Sequence, residues 1–186
     1  MEWKDKVIFL TGASSGIGEA LAVAMAEKGA VVGLLARRRE RLDNIAAVCV
    51  AAGGKARVFS ADVTDSNAVS AAAEALRAEF GRIDIMIANA GINGNDADTR
   101  AYVPNAVENV IQTNLMGAVN AVHAVLPQML ERGEGQLVAI SSLAGIRGLP
   151  RSAAYSASKA AMTAFFESVR LDTLNTSVEV TIIQPG

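Results

Sequence analysis

The stretch "VIFLTGASSGIGEALAVAMAEKG" (7–29) decides the fold. Its opening, "VIFLTG" (7–12), is apolar along its whole length, the pattern of a strand buried on both faces. From Gly16 the pattern turns helical, with Gly29 placed to act as its C-cap. Between strand and helix lies a turn, "TGASSGIG" (11–18), whose glycines stand at 12, 16 and 18. Gly12 allows a tight turn off the strand. Gly16 and Gly18 leave no side chain where backbone must approach a pyrophosphate and where helix meets sheet. The helix start adds free N–H groups and a partial positive charge, so Ser14, Ser15 and Ile17 belong to the same anion cradle. A glycine turn needed only for folding is the competing reading. The turn's place at the head of the first strand–helix–strand unit favours the phosphate site.

The same rhythm continues outward. Strands are expected at 30–36, 55–62, 83–91, 135–141 and 178–186. Helices are expected at 39–54, from a Thr64 or Asp65 cap to Gly81, from the loop 92–104 to about Arg132, and over 152–176. Uniformly apolar strands alternating with helices imply a parallel sheet covered on both faces. The fold class is therefore α/β, a single doubly wound Rossmann-type sheet in strand order 3-2-1-4-5-6. No linker, repeat or low-complexity segment divides the chain, so 1–186 reads as one dinucleotide-binding and catalytic domain.

Strand two ends in Ala36 followed by Arg37, Arg38 and Arg39, with no carboxylate before Glu40. An acidic residue there would bind an adenosine ribose and repel a 2′-phosphate. Guanidinium groups suit the phosphate dianion instead. NADP(H) is thus favoured over NAD(H), with Arg37 the first candidate and Arg38 the second. Asp62 and Asn89 end strands three and four, on the edge where such sheets bind ligands. Asp62 is suited to the adenine amino group and Val63 to packing on the ring. Asn89, in "NAG" (89–91), is suited to holding loop backbone or touching the cofactor.

Strand five ends in "ISSLAG", and Ser142 precedes Tyr155 by thirteen residues. Tyr155 and Lys159, at i and i+4 in "YSASK", share one helical face. A phenol with pKa near ~10 is a poor acid or base at neutral pH. A cation about 4 Å away is worth about 4 kcal/mol at an effective dielectric of about 20, on the order of 3 pKa units at most. That would bring the phenol into the range where general acid–base catalysis works. Asn114 interrupts the apolar helix "VIQTNLMGAVNAV", and an amide there is exposed, bonded back to the backbone, or holding a water.

Composition bounds the partners. Hydrophobic residues make up 51% of the 186 residues and the net charge is −2, so neither nucleic acid nor an anionic membrane is expected as partner. No apolar run is long enough to span a bilayer, and the start lacks the pattern of a signal peptide. Cys49 is the only cysteine and reads as a buried residue in a reducing cytoplasm; His123, also alone, reads as a packing or surface residue. No metal-ligand spacing occurs.

Together, "TGASSGIG", "DV" (62–63), "NAG", Asn114, Ser142, "YSASK" and the final "PG" resemble the short-chain dehydrogenase/reductase family, in its order and spacing across essentially the whole chain. The resemblance implies hydride transfer between a nicotinamide and a carbonyl/alcohol pair. It implies that Tyr155 is the general acid/base, that Lys159 binds the nicotinamide ribose and lowers the tyrosine pKa, and that Ser142 bonds the substrate oxygen. It implies that Asn114 holds a water of the proton relay, that "NAG" (Asn89, Ala90, Gly91), Pro185 and Gly186 lie beside the cofactor, and that Arg37 is the arginine of NADP-preferring members. Position 88 is Ala where many members carry Asn. The chain also ends at Gly186, short of the family's usual length, so it is expected to be C-terminally truncated, lacking the substrate-lid segment and final strand.

The helices near 106–130 and 152–174 are apolar over most of their circumference, the latter through Ala153, Ala157, Ala160, Met162, Phe165, Phe166, Val169 and Leu171. Such helices need cover on two sides, which implies a homodimer or homotetramer. The function expected is an NADP(H)-dependent oxidoreductase. The alternative is a non-catalytic dinucleotide-binding regulatory or scaffold protein, which need not keep Asn114, Ser142, Tyr155 and Lys159 together. A nucleic-acid module built on Arg37–Arg41 is disfavoured by the acidic balance and the lack of an aromatic-studded groove. Substrate specificity is expected in the loop 92–104, whose Asn93, Asn95, Asp96 and Asp98 form a polar rim, and in the missing C-terminal segment.

Overall fold

The structure is a computed structural model that describes residues 3–93 and 103–186. Asn95, Asp96 and Asp98, expected to rim the substrate entrance, lie outside the described residues. The first strand, β1 (Val7–Thr11), is buried at every position. Val7 and Phe9 join the apolar cluster on one face of the sheet, while Ile8 and Leu10 join the cluster on the other. A strand with both side-chain sets buried has no polar alternation to show, which is why its sequence reads as an unbroken apolar run.

The remaining elements follow in alternation: α1 (Gly16–Ala26), β2 (Val31–Ala36), α2 (Arg39–Ala51), β3 (Lys55–Ser60), α3 (Ser66–Phe80) and β4 (Ile85–Ala88). Then come α4 (Pro104–Ile111), a π-helical turn (Gln112–Met116), α5 (Gly117–Arg132), β5 (Glu134–Ile140), a 3-10 turn (Leu143–Gly145), α6 (Ala153–Asp172) and β6 (Ser177–Ile183). All six strands are parallel in the order β3-β2-β1-β4-β5-β6, with Leu10 opposite Leu34 on one side and Ile87 on the other. The expected sheet order is the observed one. Among the described residues β3 and β6 are the edges.

Local chemistry sets the element ends. Asp65 caps α3 by accepting from the N–H groups of Asn67 and Ala68, both at 3.0 Å, so Asp65 rather than Thr64 is the cap. Pro104 opens α4, where its missing N–H costs nothing. The first helix closes earlier than expected, at Ala26, and Gly29 follows with φ of 81° to turn the chain into β2. The last helix ends at Asp172 rather than near 176. The long helix expected up to Arg132 is broken by the π turn, whose extra residue per turn swings Asn114 inward. Among the described residues no helix is long and apolar enough to cross a membrane.

Candidate active site

The carboxyl ends of β1, β2, β4 and β5 converge on a cavity of about 490 Å³. One end is the glycine turn, with Gly12, Ser14, Ser15 and Ile17 on the wall. Gly12 has φ of 67°, and a Cβ there would stand 2.6 Å from the Ala90 Cα, so the turn and the "NAG" loop touch through bare backbone. Gly16 and Gly18 are not on the wall. Gly18 serves the join of helix and sheet, since a Cβ would lie 2.6 Å from Asn89 Nδ2.

Asn89 holds two pieces of that turn at once. Its Nδ2 donates to the carbonyls of Thr11 and Gly12, both at 3.1 Å. Thr11, which no sequence pattern marks, is the counterpart. Its Oγ1 is almost fully buried, donates to the Ile87 carbonyl at 3.3 Å, and accepts from the N–H groups of Asn89 and Ala90 at 3.1 Å each. A threonine ending a strand is too common for pattern reading to single out. Ala90 and Gly91 line the cavity with Asn89.

Beside the ends of β2 and β3 the two arginines separate. Arg38 lies across the glycine turn, its Nη2 donating to Ser15 Oγ at 2.7 Å and Ser14 Oγ at 2.9 Å. Arg37 is turned toward β3, with Nη1 3.7 Å from Asp62 Oδ2 and its side chain 71% exposed. Asp62 accepts from the Thr64 N–H at 3.0 Å and the Thr64 hydroxyl at 2.9 Å. These hold its carboxyl below the usual range: the Thr64 N–H first, against the opposing effect of burial, then the Thr64 hydroxyl and Arg37. Val63 also lines the cavity and packs on Gly117, where a Cβ would meet Val63 Cγ1 at 2.6 Å.

At the other end, Tyr155, Lys159, Ser141 and Pro185 share the wall. Lys159 Nζ donates to the Ile140 carbonyl at 2.7 Å and sits 5.8 Å from the centre of the Tyr155 ring. Only 3% of Lys159 is exposed, and this burial pulls its pKa down to about 8. Burial therefore opposes the cation that the i, i+4 spacing brings to the tyrosine, although at pH 7 roughly nine tenths of the side chains stay charged.

Three more expected residues, Ser142, Asn114 and Gly186, are also absent from the wall. Ser142 Oγ accepts from the Ala144 N–H at 3.1 Å, which leaves its own proton outside that bond. Asn114 is fully buried and clamps the backbone of Ile92, accepting from its N–H at 2.7 Å and donating to its carbonyl at 2.9 Å. Gly186 packs against Leu143.

The cavity suits a dinucleotide. Ser15 makes no side-chain cap on α1, so the helix start opens uncapped beside the wall residues Ser14, Ser15 and Ile17. Gly91 keeps a Cβ-sized space 3.4 Å from Asn114 Oδ1 and 3.6 Å from Lys159 Nζ, where a larger side chain would narrow the cavity beside Lys159. No group of acidic, His and Cys side chains that could hold a metal occurs among the described residues.

Comparison with known proteins agrees with this architecture. The short chain dehydrogenase family profile matches residues 6–186. An uncharacterized oxidoreductase of Myxococcus xanthus (strain DK1622) is 43% identical over 185 residues, covering all of this chain and 73% of its own. The solved structure of an NAD+-bound xylitol dehydrogenase superposes with a TM-score of 0.96 at 35% identity, over all of this chain and 72% of that one. A metagenomic short-chain oxidoreductase in complex with NADP gives 0.93 at 33% identity, over all of this chain and 84% of that one. A six-stranded parallel sheet in this order, with its cavity at the carboxyl ends of the strands, is a doubly wound Rossmann-type architecture. The chain belongs to the short-chain dehydrogenase/reductase family, whose members act with nicotinamide cofactors.

Proposed function

We propose that this protein is an NADP(H)-dependent oxidoreductase that interconverts a small carbonyl compound and its alcohol, with Tyr155 as general acid/base. The observation that carries the reading is the shared wall: Tyr155 and Lys159 line the same cavity as the glycine turn and Arg38. When bound, the cofactor supplies or accepts the hydride. Tyr155 gives the proton to the forming alkoxide, and Ser142 turns its hydroxyl proton to the substrate oxygen. Lys159 meets the nicotinamide ribose and keeps positive charge beside the phenol, while Asn114 fixes the "NAG" loop and supports the proton relay. The glycine turn with Asn89, Ala90, Gly91, Pro185 and Gly186 frames the cofactor, and Asp62 and Val63 frame its adenine. The preference for NADP(H) rests on cations without a competing carboxylate at the end of β2. Arg38, which already bridges Ser14 and Ser15, is the better-placed partner of a 2′-phosphate, and Arg37, turned to Asp62, the second.

The test is consumption of NADPH followed by absorbance against a panel of ketones and aldehydes. Tyr155→Phe removes one oxygen and should abolish turnover while NADPH still binds. Turnover persisting in that variant would remove the acid–base role. A cytoplasmic setting suits the single thiol, Cys49, which is fully buried. The outer side of α6 leaves Ala153, Ala157, Ala160 and Leu171 exposed while Met162, Phe166 and Val169 point into the core. That small-residue face supports a homodimer or homotetramer through α4–α5 and α6, and a monomeric mass at micromolar concentration would contradict it.

A further inference from the structure

We infer that Ser158 is the positioning residue that sets Asn114 and Tyr155 in register across the site, an inference that rests on the acid–base reading above. Ser158 is fully buried in α6, one residue before Lys159. Its hydroxyl donates to the Tyr155 carbonyl at 2.7 Å and accepts from Asn114 Nδ2 at 2.9 Å. The direction of this chain is forced. A carbonyl only accepts, so Ser158 must donate to Tyr155 and use a lone pair for the amide. The Asn114 amide nitrogen must therefore face Ser158, which leaves Oδ1 for the Ile92 N–H at 2.7 Å and the second Nδ2 proton for the Ile92 carbonyl at 2.9 Å.

Three segments that share no secondary structure are joined this way: the loop after β4, the π turn and the first turns of α6. The loop end matters because Gly91, next to Ile92, borders both Asn114 Oδ1 and Lys159 Nζ. A serine that merely bonds back to the carbonyl three residues earlier is common in helices and would have no link to Asn114. Here the same hydroxyl terminates the Asn114 amide inside the core. Its loss leaves a buried Nδ2 proton without its acceptor and frees the amide to turn.

The experiment compares Ser158→Ala, Asn114→Ala, their double variant and Ser158→Thr with the unmodified chain. Turnover with NADPH and a carbonyl substrate is measured together with NADPH affinity and hydrogen exchange at the Ile92 amide. Ser158→Ala should lower kcat on the order of tenfold, a fraction of a general acid–base contribution, with KM and NADPH affinity within about twofold of the unmodified values. The Ile92 amide should exchange on the order of tenfold faster. Added to Asn114→Ala, the same change should cost less than about twofold more, because the two side chains act as one unit. Ser158→Thr keeps the hydroxyl and should restore kcat; where the added methyl prevents folding, the alanine cycle decides alone. Unmodified kcat and Ile92 protection in Ser158→Ala would overturn the inference, as would independent, multiplicative losses in the double variant. Tyr155→Phe run alongside separates the two failures. Turnover surviving in that variant removes the acid–base reading and this inference with it, whereas turnover lost there but intact in Ser158→Ala overturns this inference alone.

Discussion

Replacing Lys159 by methionine should make the protein more stable, and only while the pH stays below the ordinary lysine range. Lysine ordinarily titrates near 10.5, and burial brings Lys159 to about 8. The unfolded chain therefore binds more protons than the folded one between these two values. Stability must rise with pH across that window, and below pH 8 the full penalty is present. A difference of about 2.5 pKa units corresponds to about 3 kcal/mol. Methionine keeps the length and removes the charge, at the cost of the bond to the Ile140 carbonyl, about 1 kcal/mol. The net gain at pH 7 is about 2 kcal/mol, an increase in Tm of about 4–8 °C for a chain of this size. At pH 10 the penalty left in the parent has fallen to about 1 kcal/mol, and the advantage vanishes. Urea denaturation of parent and variant at pH 7 and pH 10, without cofactor, measures both differences, and other titrating groups cancel between the two proteins. A variant less stable at pH 7, or a difference that does not change between the two pH values, would refute the reasoning. The variant should also lose turnover, the usual outcome when a costly buried charge serves the chemistry.

Arg38→Ala should weaken NADPH binding by tenfold or more while changing NADH binding less than about twofold, a loss consistent with one charged hydrogen-bonding partner. Arg37→Ala should do markedly less, and equal losses for both cofactors, read by fluorescence titration, would contradict the assignment. Gly12→Ala combines a strained φ with a Cβ set against Ala90, and should cost about 2–3 kcal/mol in urea denaturation together with cofactor affinity. Unchanged stability would show that the turn and the "NAG" loop are less tightly apposed than a 2.6 Å approach of a Gly12 Cβ to the Ala90 Cα requires.

The sheet was legible because each of its inner strands is buried on both faces. An unbroken apolar run such as Val7–Leu10 followed by a glycine turn has few other meanings. The cavity wall was legible where a residue type is rare and its spacing short, as with Tyr155 and Lys159 or the arginines after Ala36. Contacts between distant segments were not legible. Nothing in "NAVENVIQTNLMG" marks five residues of π turn, because the widening depends on what Asn114 finds in the core rather than on propensity. Thr11 acts through backbone carbonyls and amides, which every residue carries, and Ser158 joins a backbone carbonyl to the Asn114 side chain 44 positions away, so no local pattern announces either. Which of Arg37 and Arg38 lies across the glycine turn depends on how the chain turns at the head of α2, a difference of one position that rotates a side chain from that turn to Asp62.

The order of the strands also sets the order in which this chain can be satisfied during synthesis. The first three strands are close in sequence and pair along one side of β1, so they can assemble as soon as Ser60 is made. The opposite side of β1 waits for Ile85–Ala88, and the Val7 N–H waits with it for the Asp84 carboxylate 77 positions later, at 2.8 Å in the finished fold. Through that interval β1, buried at every position in the finished fold, has a bare edge, the condition under which nascent chains recruit one another. A chain synthesised past Ser60 but short of Ile85 therefore carries its central strand unmatched on one side.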